Sequence, residues 1–194
     1  MAGGTKRLPR AVREQQMLDA AVDVFSENGF HDTSMDSIAA RAEISKPMLY
    51  LYYGSKDELF AACIAREAVK FVEAMTPAAD RSLSPREQLR IALTGFLTFV
   101  GEHRSSWMVL YRQAIAQQAF AGQVTSSRER LIDMTTRLLE MSTKDPGPEH
   151  NFALMAVALV GAGEAVADRV AGGEIGVDAA VQLLENLAWR GLRS

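Results

Sequence analysis

The sequence predicts an all-α protein of about nine helices, and three observations predict it. Apolar residues return every three or four positions in one segment after another. Serines stand just ahead of several of these segments, twice in the S-x-x-E form of a capping box: Ser55 with Glu58, and Ser84 with Glu87. Between Thr33 and Leu59 three helix starts are packed into about half the length that ordinary globular helices need.

In chain order, Leu18, Ala21, Val22 and Phe25 fall at i, i+3, i+4 and i+7, which predicts an amphipathic helix from Arg10 to Asn28, closed by Asn28-Gly29. Phe25 is read as core in preference to a ligand aromatic. Asp36, Ile38, Ala39 and Ala42 follow Thr33-Ser34 as a short second helix, and Glu43-Ile44-Ser45 is a tight break. Ser45 is a good N-cap for a third helix, and Pro47 sits in its first turn, where the missing N–H costs nothing. The LYLYY run looks strand-like by propensity, but Ser45 and Pro47 before it and Gly54 after it favour one short helix. Two short helices joined by a tight turn, then a long one, form the helix-turn-helix plan.

The long helix starting at Lys56 carries Phe60, Ile64, Phe71 and Met75 on one face and ends near Thr76-Pro77; residues 76–83 are a linker. Leu89, Ala92, Leu93, Phe96, Phe99 and Val100 mark the next helix. Further helices are expected at about Ser105–Ala121 and Val124–Met141, a break at Lys144–Pro148, and last helices at about Glu149–Ala171 and Gly176–Arg190 around Gly172-Gly173.

Composition bounds the function. Of 194 residues, 48% are apolar and 23% charged, ordinary for a soluble chain with a sizeable core. The single cysteine, Cys63, excludes an intramolecular disulfide framework, fits a reducing cytoplasm and is read as an inert buried thiol. No apolar run approaches the ~18 residues of a membrane span. No nucleophile elbow, phosphate-binding glycine loop or paired-histidine spacing occurs, so no catalytic residue, metal site or cofactor is assigned. His31, His103 and His150 are far apart, in turns or helix ends.

Net charge is −3, and residues 1–60 hold seven Lys/Arg against nine acids, so charge alone does not suggest DNA. Residues 1–13 nevertheless carry Lys6, Arg7, Arg10 and Arg13 and no acid. They read as a basic arm for phosphates or a minor groove, or as a solvated, frayed terminus.

From about residue 10 to 62 the chain closely resembles the DNA-binding domain of TetR (tetracycline-repressor-like) transcriptional regulators. The likeness rests on Phe25 with Gly29-Phe30, Thr33-Ser34, Ile38-Ala39, Ala42, Ile44-Ser45-Lys46, Leu49-Tyr50, Tyr53, and Ser55-Lys56 with Leu59. It departs at Glu43, where the family usually has a turn glycine, and at Met48, Leu51 and Tyr52, which bear on the operator sequence and not on the fold. The resemblance implies a helix-turn-helix DNA-binding domain over residues 1–55, a connecting helix over 56–75, and an effector-binding and dimerisation bundle over 76–194.

In a helix-turn-helix the second helix lies in the major groove. Its leading residues here are Lys46, Pro47 and Met48, with Leu51 one turn on. Lys46 can donate to guanine or to a phosphate, whereas Met48 and Leu51 make only apolar contacts. The resemblance implies phosphate contacts at Ser34, Tyr50, Tyr52 and Lys56, and Lys56 also opens a helix whose free N–H groups favour an anion. Leu49 and Tyr53 are assigned to the core.

Phe96, Phe99, Trp107, Met108, Tyr111, Phe120 and Met134 would line a pocket for a small hydrophobic effector if the family pattern holds, or form plain core. Trp107, Tyr111 and Arg112 pair bulk with a polar tip. Glu164, isolated in an apolar helix, needs a partner: Arg169, a group across a dimer, or a cationic ligand. Gly161 and Gly163 suit close helix packing, either inside one subunit or in the homodimer interface of the last two helices that the resemblance implies. A two-fold dimer binds two half-sites of a palindromic operator.

The reading that results is a cytoplasmic, sequence-specific regulator of double-stranded DNA, a repressor released by an effector. The alternatives are a TetR-fold interaction protein without operator binding, and a helical enzyme.

Overall fold

The computed structural model describes residues 9–80, 82–114, 117–143 and 150–190. Those residues form helices and the turns between them. Lys6, Arg7 and the Lys144–Pro148 break lie outside the described residues, as does the side chain of Phe120.

Helix α1 (Arg10–Asp32) begins inside the expected arm and is bent at Gly29, whose φ of 78° and ψ of 167° interrupt the helix where a cap was expected. Below the bend Thr33 Oγ1 donates to the carbonyls of Gly29 (2.6 Å) and Val24 (3.3 Å), tying the chain back onto α1. Helix α2 (Met35–Arg41) starts at Ser34, which exchanges hydrogen bonds with Ser37 in a reciprocal capping box. The turn into α3 (Lys46–Tyr52) puts Glu43 at φ 54°, a left-handed backbone that costs a non-glycine residue roughly 1 kcal/mol. Ser45 caps α3 by accepting from the Met48 N–H, and LYLYY is helical through Tyr52.

Helix α4 (Lys56–Met75) is capped by Ser55, which accepts from the Glu58 N–H. The Glu58 carboxylate reaches one residue further back than a capping box requires, accepting from the N–H of Gly54 at 3.2 Å. A 3-10 turn (Thr76–Ala79) leads towards α5 (Pro85–Glu102), whose box between Ser84 and Glu87 is complete.

The next stretch departs from expectation. A single helix over Ser105–Ala121 is replaced by α6 (Arg104–Trp107), which runs on as a π-helix (Met108–Gln113), and α7 (Gln118–Ser142) starts well before Val124. Side-chain anchors explain the early break. Gln113 Nε2 donates to the Phe25 carbonyl at 2.5 Å and Gln117 Nε2 lies 3.1 Å from His31 Nε2, so the chain here follows α1 instead of its own helical register. Gly122, which local propensity marks as a break, lies within α7. Helix α8 (Phe152–Ala171) is capped by Asn151, and α9 (Val177–Arg190) closes the bundle.

The burial stripes of these helices meet in two apolar clusters. One joins Leu18, Phe25, Ile38, Leu49, Phe60 and Ile64 of α1–α4, and takes in Val109 and Ala114 from the π-helical stretch. The other joins Leu93, Leu97 and Val100 of α5 to Trp107, Val170, Val181 and Leu184. Cys63 is fully buried in the first, and burial pushes its thiol up to about 12. Helices α4 and α5 cross with their backbones in contact: a Cβ placed on Gly95 would overlap the carbonyl of Ala74. No helix among the described residues is long and apolar enough to cross a membrane.

Gly95→Ala is expected to cost about 1–3 kcal/mol by overpacking and to lower the thermal midpoint by several degrees. Gly122→Ala, with open space at the same position in a helix, should be neutral or slightly stabilising. Equal midpoints in a thermal melt would show that α4 and α5 do not touch at Gly95.

Candidate functional site

Helix α3 is short, and its own cap and turn decide what it presents. Leu49 is fully buried and Tyr53 half-buried against the first apolar cluster, which fixes the helix's inner face. Burial pushes the Tyr53 phenol up to about 12. Lys46, Pro47, Tyr50 and Leu51 therefore project outward, with Leu51 81% exposed and Tyr50 43% exposed. Leu51 and Tyr50 thus stand on the face of α3 opposite the buried Leu49.

The flanking cations are each held by a neighbour. Lys46 Nζ lies 2.7 Å from Asp36 Oδ2, and that carboxylate raises the lysine above its ordinary range. Arg13 Nη1 contacts Met48 Sδ at 2.9 Å, while the Arg10 guanidinium stands over the Tyr52 ring at 5.3 Å from its centroid. Met48 and Tyr52 are consequently half-buried and packed against the first cluster, less available than Pro47 or Leu51. Ser34 is exposed at the start of α2, its hydroxyl engaged with Ser37.

Lys56 occupies a different place from the others. Its ammonium donates to the carbonyls of Phe30 (2.8 Å), His31 (3.2 Å) and Thr33 (3.0 Å) and sits 4.5 Å above the Phe30 ring. All three donors are thus directed at the chain between α1 and α2. In this structure Lys56 clamps the ends of α1, α2 and α4 together and is not turned outward to a phosphate.

In the second half, Phe96, Phe99, Trp107 and Tyr111 come together, joined by Phe71 of α4. Phe71 packs edge-on against Phe96 (5.8 Å) and Phe99 (5.4 Å), Phe96 against Trp107 (5.5 Å), and Trp107 stacks on Tyr111 at 4.5 Å. Met108 is half-buried, whereas Met134 is 56% exposed on α7.

Two ion pairs border this cluster, both on α8. Glu164 is held by Arg128 of α7, with Nε 2.8 Å from Oε1. This corrects the expectation of Arg169, a dimer partner or a ligand, since Arg169 pairs with Glu174 at 2.6 Å. One turn on, Asp168 accepts from Trp107 Nε1 (3.1 Å) and from Arg112 Nη2 (2.5 Å). Burial, followed by the hydrogen bond to Glu164, pushes the Tyr111 phenol up. Arg128, Asp168 and Asp36 were missed in the sequence. The i, i+4 spacing of Glu164 and Asp168 on one helix face was the available signal for Asp168. The short turn that sets α2 beside α3 was the signal for Asp36.

A helix-turn-helix with an outward second helix, set on a separate helical bundle, defines a DNA-binding regulator. Comparison gives its family. Residues 17–63 match the family of bacterial regulatory proteins described as the tetR family, and residues 85–191 match the tetracyclin repressor-like C-terminal domain. The chain belongs to the TetR family of transcriptional regulators, whose members are regulators and not enzymes.

It is 33% identical over 164 residues to the HTH-type transcriptional activator FasR of Mycolicibacterium smegmatis, covering 82% of this chain and 74% of that protein. The crystal structure of a TetR-like transcriptional regulator from Rhodococcus sp. RHA1 is 76% identical, with a TM-score of 0.91 over 96% of this chain and 98% of that one. The transcriptional regulator FadR from Bacillus subtilis, solved in complex with stearoyl-CoA, shares the fold (TM-score 0.73, 90% and 97% covered) at 17% identity.

Lys56→Met keeps the aliphatic stem but removes the three donors, and is expected to cost about 1–3 kcal/mol. Urea denaturation would show the midpoint fall; an unchanged midpoint would mean that water satisfies those carbonyls equally well.

Proposed function

We propose that the protein is a dimeric repressor that binds a palindromic operator in double-stranded DNA and leaves it when a small hydrophobic effector binds. Residues 1–55 read the operator, 56–75 connect, and 76–194 hold the effector and the dimer partner. The observation that carries operator reading is the outward face of α3, where Leu51 and Pro47 can meet thymine methyl groups and Lys46 a base acceptor. Ser34, Tyr50 and Tyr52 flank that face for phosphate contact, with Met48 beside them. Lys56 serves the same surface by holding it in place.

A dimer is supported by apolar residues left bare on the last two helices: Leu154 (64% exposed) and Val157 (39%) on α8, Leu183 (52%) and Leu187 (53%) on α9. A second copy would cover them about a two-fold axis and set two α3 helices one turn of DNA, ~34 Å, apart.

The effector class is supported by one fold neighbour and by the aromatic cluster. One fold neighbour was solved with stearoyl-CoA, and the apolar rings bordered by Tyr111, Arg112 and Glu164 suit a long acyl chain carrying a polar head. Phe71 places α4 in contact with that cluster, so a ligand wedged among the rings would move α4 and with it the spacing of the α3 pair. Binding the DNA-free state a hundredfold more tightly would supply about 2.7 kcal/mol of coupling.

Selection from a random duplex pool at two salt concentrations should enrich a palindrome with half-sites about one turn apart. Enrichment of nothing at low salt by a folded dimer would overturn operator binding. Leu183→Glu with Leu187→Glu should give a folded monomer with operator affinity lowered at least tenfold, as read by analytical ultracentrifugation and fluorescence anisotropy. Stearoyl-CoA should raise the apparent operator Kd up to a hundredfold; if no acyl thioester of any chain length does so, the effector class is wrong.

A further inference from the structure

Lys46 is the one charged residue in the α3 sequence KPMLYLY, and Asp36 the one acid in α2. Their 2.7 Å contact crosses the turn of the helix-turn-helix, in which Glu43 is left-handed and Ser45 caps α3. The pair is separate from the other charges of this region, where Arg41 engages Glu27 and Asp23. Both members are open to solvent, at 46% and 68%.

A carboxylate on a DNA-facing surface repels phosphate and lowers affinity for every sequence. Asp36 stabilises the first turn of α2 by its place at that helix's positive end, and on a DNA-facing surface it can also accept a hydrogen bond from a base. The lysine has two further donors beyond the one on Asp36, and the carboxylate keeps further lone pairs. The two side chains therefore present a donor and an acceptor next to each other, 2.7 Å apart.

The major-groove edge of a G·C pair is complementary to that arrangement. Guanine N7 and O6 accept, and the adjacent cytosine N4–H2 donates. We propose that Asp36 and Lys46 act together to read one G·C pair in each half-site, Lys46 donating to guanine O6/N7 and Asp36 accepting from cytosine N4. This rests on the operator-binding reading above. A T·A pair offers the same order of acceptor and donor but puts the thymine methyl group where guanine N7 accepts, so it ranks second. The inverted pairs C·G and A·T set donor against donor and acceptor against acceptor, and are rejected.

The test measures binding of the full chain to its selected operator, with each half-site position changed to all four base pairs. One position should show the order G·C, then T·A, then the inverted pairs, with inversion weakening binding roughly 5- to 150-fold. Asp36→Asn, whose amide both donates and accepts, and Lys46→Gln should each flatten the preference at that same position. The double variant should lose no more discrimination than either single one. Asp36→Asn should also bind an unrelated duplex at least as tightly as the parent protein. Asp36→Ala guards against a substitute contact by the asparagine and should flatten the same position. If the Asp36 variants keep every preference, or change a position other than the one Lys46→Gln changes, the paired reading is overturned while operator binding stands. If the parent protein enriches no sequence, both are overturned.

Discussion

Three stretches of chain end within reach of one ammonium. The Lys56 side chain gathers the carbonyls of Phe30, His31 and Thr33 just past the bend at Gly29, where α1 has run out of its own donors. Helix ends leave such carbonyls unsatisfied, and a partly buried end needs a partner. Because the lysine also opens α4, the clamp fixes where the long helix departs from the DNA-binding half. The attitude of α2 and α3 relative to α4 depends on it, and so does everything that the outward face of α3 can do.

The two halves are joined by more than the long helix. Val109 and Ala114 belong to the first apolar cluster and Trp107, a few residues earlier, to the second. The π-helical stretch between them carries Tyr111 and Arg112 towards α8 while Gln113 holds the Phe25 carbonyl on α1. A π-helical turn is rare and occurs mostly as a local bulge within α-helix, frequently at functional sites. Here it lets one short segment take part in both cores.

Much of the fold was legible because its signals are local. Serine caps, Pro47, the i, i+3, i+4 stripes and the Asn28-Gly29 end each act over a few residues, and the helices begin and stop close to where those signals fall. What was not legible depends on residues far apart in sequence. The early break before α7 is set by Gln113 and Gln117 reaching α1, which no window around Gly122 could reveal. Glu164 was recognisable as a carboxylate in need of a partner, but the choice of Arg128 depends on how α7 lies against α8. The α3 residues were identifiable by type. Which of them stand bare and which lean on Arg10 or Arg13 is a matter of packing.

The missing side chain at Gly95 has a mechanical consequence. It brings α5 onto the backbone of α4 at Ala74, close to the far end of that helix from the DNA-binding half. Rigid contact at one end of a rod makes a fulcrum. From Ala74 to Lys56 the helix is about 27 Å long at 1.5 Å per residue. A tilt of roughly 5° about the crossing point would carry the other end through about 2 Å, a displacement comparable to the helix shifts that separate the states of allosteric proteins.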